Sequence, residues 1–175
     1  MWAVGSEVAD DETREQLQTI DRLDGLLTEN GFEYWLFGGW AVDFHLGRVT
    51  RHHDDVDVAV WQAQLVPIAE LLATEGWVPV SEPDADGYTA FQRGGVRLEI
   101  AFLSQDEAGL VVTPLADGVG AWPADTCGDD LRQLDGVWAR VVGLHGLVED
   151  KSGPRSDPGV AAKDHADVLL LTSLL

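Results

Sequence analysis

From Asp10 to Glu29, apolar side chains recur at helical spacing, with Leu17, Ile20, Leu23, Leu26 and Leu27 on one face. The pattern predicts an amphipathic helix that Asn30-Gly31 stops. Phe32 to Phe37 is a short apolar run, read as the first strand, and Gly38-Gly39 then opens a second short helix through about Leu46, with Gly47 as its stop. From Asp55 to Val60 the period changes to two, the period of a strand. Val56, Val58 and Val60 point to one side as core. Asp55, Asp57 and Ala59 point to the other, and a strand ordinarily disfavours aspartate.

The remaining pattern predicts a helix from Gln62 to Glu75, with Leu65, Ile68, Ala69, Leu71 and Leu72 as its apolar face and Gly76 at its end. Trp77 to Val80 reads as a strand, and Ser81 to Gly87 as a polar turn with solvated Asp84 and Asp86. Tyr88 to Arg93 and Val96 to Phe102 form a hairpin around Gly94-Gly95. Its second strand places Val96, Leu98, Ile100 and Phe102 on one face, and Arg97, Glu99 and Ala101 on the other. Leu110 to Thr113 is a further strand, and Ala116 to Asp130 is loop-like, with Trp122 and Pro123 placed to cover the core rather than to close over a ligand. Asp135-Gly136 joins Leu131–Leu134 to Val137–Val142 as a second hairpin. A short helix, Leu144 to Lys151, and a Gly/Pro-bearing loop, Ser152 to Gly159, lead to a closing helix from Ala161 to Leu174. Ala162, Ala166, Leu169 and Leu170 are its expected buried side.

Strands and helices mix without regular βαβ alternation. The expected fold is α/β (α+β), a small mixed β-sheet with packed helices. A single domain is expected over residues 1–175, with a core about 10–113 and a C-terminal hairpin and helices about 129–175.

Composition narrows the function classes. No apolar run approaches the ~20 residues of a membrane span, and Met1 to Gln16 is too acidic and polar for a signal peptide. The single Cys127 has no internal partner for a disulfide, which fits a reducing, cytoplasmic compartment. A net charge of -20 argues against DNA or RNA as a general partner. That charge attracts a cationic ligand, although its first consequence is solubility.

The candidate chemistry sits between Phe37 and Val60. A strand feeding a helix through two glycines lets backbone N–H groups approach a phosphate. A tight turn needing positive φ explains the pair equally well. Arg48 and Arg51 follow in the connecting loop, either to meet phosphate or to pair with a carboxylate. His52 and His53 suit hydrogen-bond support better than metal ligation. Asp55 and Asp57 on a rigid strand suit a hard divalent cation. Glu99 can face the same cation if its strand lies beside theirs, as a ligand or as a general base. This set matches the needs of nucleotidyl transfer, in which a triphosphate is held, neutralised and attacked in line by a hydroxyl.

Gly38-Gly39-Trp40-Ala41-Val42-Asp43, Leu46-Gly47-Arg48-Val49-Thr50-Arg51 and His53-Asp54-Asp55-Val56-Asp57 resemble the small aminoglycoside nucleotidyltransferases of the DNA polymerase beta-like superfamily. The similarity is greatest to the 2''-O-adenylyltransferase type, and lincosamide nucleotidyltransferases are similar too. It continues more weakly through Arg97-Leu98-Glu99 and Lys163-Asp164-His165-Ala166-Asp167. The resemblance implies transfer of a nucleoside monophosphate, usually AMP from ATP, with Mg2+, to a hydroxyl of a small acceptor, a cationic aminoglycoside antibiotic or alternatively a lincosamide. It implies that Gly38 and Gly39 border the triphosphate and that Asp55, Asp57 and Glu99 are the metal-binding and catalytic carboxylates. Lys163 would then help to neutralise phosphate, beside Arg51 of the loop, or is simply a surface lysine. The third acidic residue is Glu99, where the family's nearest enzymes carry Asp, and Trp40 stands where the wider superfamily has Ser. The other classes weighed are a nucleotidyltransferase of protein or RNA, an HD-type metal phosphohydrolase built on His52-His53-Asp54-Asp55, and a nucleotide-binding module without catalysis.

Overall fold

The computed structural model describes the backbone of residues 4–175 and the side chains of residues 11–175. The signal-peptide reading of Met1–Gln16 therefore begins outside the described residues. Helix α1 runs from Val4 to Glu29, six residues longer at its start than the apolar pattern predicts. It is followed by β1 (Tyr34–Phe37), α2 (Gly38–Leu46), β2 (Val56–Trp61), α3 (Leu65–Thr74), β3 (Val78–Val80), β4 (Tyr88–Arg93) and β5 (Val96–Gln105). The C-terminal elements are β6 (Val111–Leu115), β7 (Gly118–Ala121), β8 (Leu131–Leu134), β9 (Val137–Arg140), α4 (Leu144–Lys151) and α5 (Pro158–Leu171).

The strand order β1-β2-β5-β4-β3 makes a mixed sheet, with β6 and β7 continuing from the end of β5. Only β2 and β5 of this path run parallel, and they are paired along their whole common length. The apolar side chains of alternate positions supply the core of one face. Val56, Val58, Val60, Leu98 and Ile100 pack there with Leu17, Ile20, Leu23 and Leu27 of α1 and with Ile68 and Leu72 of α3. Trp35, Ala59, Ala101 and Leu103 line the other face under Ala41, Val42, Leu147 and Leu171. Burying a Leu or Ile side chain contributes about 1.5–3 kcal/mol, so two such layers hold the β2–β5 pair rigidly between them. None of the described helices is long and apolar enough to cross a membrane.

Both predicted hairpins form. At the second, Asp135 and Gly136 take φ of 47° and 83°, the left-handed pair a two-residue turn requires. The helical segment after β2 divides into a 3₁₀ turn, Gln62–Gln64, and α3. Two expectations are corrected. The stretch Ala116–Asp130 is not all loop, because Gly118–Ala121 pairs with Val112–Leu115 as β7. Its glycines hide it, since they supply no apolar alternation. Helix α5 also turns a different side inward. Ala162, Ala166 and Leu169 are exposed, and Leu170 is half-buried. Asp164, Asp167 and Leu171 are buried instead. The reason is electrostatic: the buried Lys151 ammonium of α4 lies 2.9 Å from both carboxylates, and buried charges are tolerated when paired.

Candidate active site

The site is built on the parallel β2–β5 pair. Asp57 stands opposite Glu99 in register, so the two carboxylates rise from the same sheet face as Ala59 and Ala101. Asp55 lies one residue before β2, completing the trio from the loop side. One carboxylate oxygen from each of Asp55, Asp57 and Glu99 lies within 4.8 Å of the others. Opposed oxygen ligands of one divalent ion are about 4–5 Å apart at the bond lengths of Mg2+ or Ca2+. The spacing and the all-oxygen donor set therefore fit a single hard cation. Among the described residues, this is the one group of three or more acidic, histidine or cysteine side chains so gathered.

Burial and crowding together disfavour the charged forms of Asp55 and Asp57. Burial, then the charges of Asp55 and Glu99, hold the Asp57 carboxyl well above the usual value of 3.8. Asp55 is also raised, by burial first and then by Glu99 and Asp54. Arg97, on the same face of β5 as Glu99, counters part of this. Its Nε and NH2 donate to Glu99 Oε1 at 2.9 and 2.7 Å, and NH2 also donates to Glu82 Oε1 at 2.6 Å. One oxygen of Glu99 is thereby occupied.

The glycine pair abuts the trio. Gly38 has φ of +67°, and a Cβ there would fall on the Asp57 carboxylate. At Gly39 a Cβ would lie 2.5 Å from His53 Nδ1 and 2.7 Å from an NH2 of Arg51. Of the two readings of the pair, the positive φ is present at Gly38, and at both glycines neighbouring side chains leave no room for a Cβ. No side chain caps the start of α2, and the first N–H groups of a helix have no acceptor within it.

Behind the pair lies a polar scaffold. Asp43, fully buried, accepts from the backbone N and Oγ1 of Thr50 at 3.1 and 2.5 Å. His53 Nε2 meets Asp43 Oδ2 at 2.6 Å, and the His53 ring packs at a tilt against Trp40, with centroids 4.6 Å apart. His53 is thus a hydrogen-bond support, as its sequence position predicts, and not a metal ligand. His52 lies at the surface, 3.6 Å from Glu12. His45 is buried on the Val142 carbonyl, with burial lowering its pKa. The histidines therefore do not assemble a phosphohydrolase site.

Arg51 lies against Gly39 and Asp167, whereas Lys163 makes an exposed ion pair with Asp54 at 3.0 Å. Exposed pairs hold weakly, at about 0–1 kcal/mol, so Lys163 is free to exchange partners beside Asp55. Lys151 escaped the sequence reading. It ends α4, lies between Asp164 and Asp167, and its charge acts to lower the Asp57 pKa. Its single available signal was a basic residue in the last helical turn. Trp122 packs edge-on against Phe37, with ring centroids 5.3 Å apart, and covers the second core layer as expected. A cavity of about 720 Å³ between α1 and the β8–β9 hairpin contains none of the three carboxylates and shares only Val49–His52 of the loop.

Residues 19–149 match the aminoglycoside-2''-adenylyltransferase family. The chain belongs to that family. A 2''-aminoglycoside nucleotidyltransferase of Escherichia coli is 38% identical over 60 residues, which is 33% of this chain and 34% of that protein. One from Klebsiella pneumoniae is 44% identical over 43 residues, 25% of this chain and 24% of its own. The aligned segments thus span about a third or less of these relatives' length. Among solved structures, ANT(2'')-Ia in complex with adenylyl-2''-tobramycin superposes with a TM-score of 0.71 at 24% identity, covering 92% of this chain and 90% of that one. The lincomycin-bound lincosamide antibiotic adenylyltransferase LnuA gives 0.67 at 18% identity, covering 86% and 92%. These likenesses establish the nucleotidyltransferase fold.

Proposed function

We propose that this family member transfers AMP from ATP to a hydroxyl of an aminoglycoside. The observation that carries this reading is the in-register Asp57–Glu99 pair, joined by Asp55 and set against the uncapped, glycine-opened start of α2. Anions favour a free helix start and cations favour clustered carboxylates. A nucleoside triphosphate with its divalent ion presents both charges at once.

Asp55, Asp57 and Glu99 would hold Mg2+, which when bound neutralises charge developing on the transferred phosphorus. Gly38 and Gly39 admit the phosphate chain to the backbone, and Arg51 donates to it from the loop side. Lys163 leaves Asp54 for a phosphate oxygen. With Oε1 fixed by Arg97, Glu99 has Oε2 for the ion or for the proton of the acceptor hydroxyl. The acceptor class is supported by family membership, by the names of the curated relatives, and by the net charge of -20. The absence of a basic footprint weighs against RNA.

Pyrophosphate release from ATP and GTP with Mg2+, measured across aminoglycosides and lincosamides, tests the reading. Release is expected with ATP and aminoglycosides. Asp55→Asn and Asp57→Asn are each expected to slow it about a thousandfold, the rate equivalent of several kcal/mol of charge stabilisation. Release with lincosamides alone would reassign the acceptor. Undiminished release by Asp57→Asn would overturn the mechanism.

A further inference from the structure

Arg51 is held more completely than a surface loop arginine needs to be. A guanidinium has five N–H donors and no acceptor. Its Nε donates to Asp167 Oδ1 at 3.5 Å, and one NH2 hydrogen to Asp167 Oδ2 at 3.2 Å. The NH1 hydrogens go to the His52 carbonyl at 3.2 Å and to His53 Nδ1 at 3.1 Å. Because arginine only donates, His53 Nδ1 must accept there, and Nε2–H is the donor to Asp43 Oδ2. Four donors are thereby engaged. The fifth belongs to NH2, the same nitrogen that a Cβ on Gly39 would meet at 2.7 Å.

We propose that Asp167 and His53 are positioning residues that fix the Arg51 guanidinium so that its one unengaged N–H meets an oxygen of the nucleotide's phosphate chain at the glycine pair. This rests on the nucleotidyl-transfer reading and adds the C-terminal helix α5 to the phosphate site. Asp167 is 1% exposed and bonds Arg51 and Lys151 together. A fork held on both flanks loses little side-chain freedom when its last donor is used. The three-sided support also explains why Asp167 faces inward on α5 where the apolar pattern predicted alanine and leucine.

The variants Asp167→Asn and Arg51→Gln test this without emptying the ion cluster. Asp167→Asn leaves Lys151 on Asp164, and Arg51→Gln leaves Asp167 on Lys151. Melting temperature, ATP affinity with Mg2+ by calorimetry, and KM for ATP and for an aminoglycoside are measured for each variant and for the pair combined. Each single variant is expected to weaken ATP about tenfold to a hundredfold, the worth of a hydrogen bond to a charged group. The aminoglycoside KM is expected to stay within twofold. The double variant is expected to bind ATP no more weakly than Arg51→Gln alone, because Asp167 acts through Arg51. ATP affinity within twofold of the parent, with a lowered melting temperature, would make Asp167 a structural clamp and overturn the inference. Failure of the unmodified chain to bind ATP with Mg2+ would instead overturn the nucleotidyl-transfer reading beneath it.

Discussion

Asp57 sits in a place that stability alone would not choose. Burial disfavours its charge, and the repulsion of Asp55 and Glu99, which share its small volume, adds to that. Between the ordinary value of 3.8 and its raised folded value, the folded chain holds more protons at Asp57 than the unfolded chain does. Stability from this group therefore falls as pH rises through that window. Asp57→Asn removes the charge and keeps the shape. Near neutral pH and without divalent ions, the variant is expected to melt about 2–4 °C higher than the parent, the shift that about 1 kcal/mol produces at this chain length. Adding Mg2+ is expected to raise the parent's melting temperature and to leave the variant's unchanged. A variant that melts lower than the ion-free parent would show that the trio is not under electrostatic strain. Gly38 belongs to the same economy of space, since any side chain there would displace the Asp57 carboxylate.

At the scale of elements, α5 shows how a polar network overrides an apolar stripe. Leu169 is 62% exposed while Asp164 is 6% exposed. Leu169→Lys is thus expected to change stability by less than about 0.5 kcal/mol. Asp164→Ala leaves Lys151 and Arg155 short of a partner and is expected to cost about 3–5 kcal/mol, a fall in melting temperature of about 6 °C or more. Thermal melts of the two variants decide the orientation, and the reverse ranking would reinstate the apolar face. The helix was legible in the sequence but its rotation was not, because apolar spacing is local information. Lys151 turns Asp164 and Asp167 inward from a separate helix, and Asp167's other partner, Arg51, is 116 residues away. The same contrast runs through the site. Alternation exposed Asp57 and Glu99 as misfits on strands, and Asp-Gly and Gly-Gly marked both hairpins. Their register, which brings Asp57 opposite Glu99, depends on a parallel pairing that no short stretch encodes. Lys151 was invisible for a related reason, since a lysine at a helix end ordinarily faces water.

Across the whole molecule, net charge is the property left to connect with function. Eleven basic side chains face 31 acidic ones, giving -20. A field of that sign raises the local concentration of cations and resists anions. The two substrates proposed for this site carry opposite charges, so salt should act on them in opposite directions. The Debye length falls from about 10 Å at 0.1 M salt to about 3 Å at 1 M, which removes most long-range attraction. The KM for a polycationic aminoglycoside is therefore expected to rise about tenfold between ~0.02 and ~0.5 M salt, as long-range steering is lost. The KM for ATP at fixed Mg2+ is expected to stay level or fall, because screening relieves its repulsion while Arg51 and the start of α2 act at contact. Initial rates over a matrix of salt and substrate concentrations, with kcat extracted separately, check both slopes. An aminoglycoside KM that ignores salt would assign the acidity to solubility, and would leave discrimination of the acceptor to groups that touch it directly.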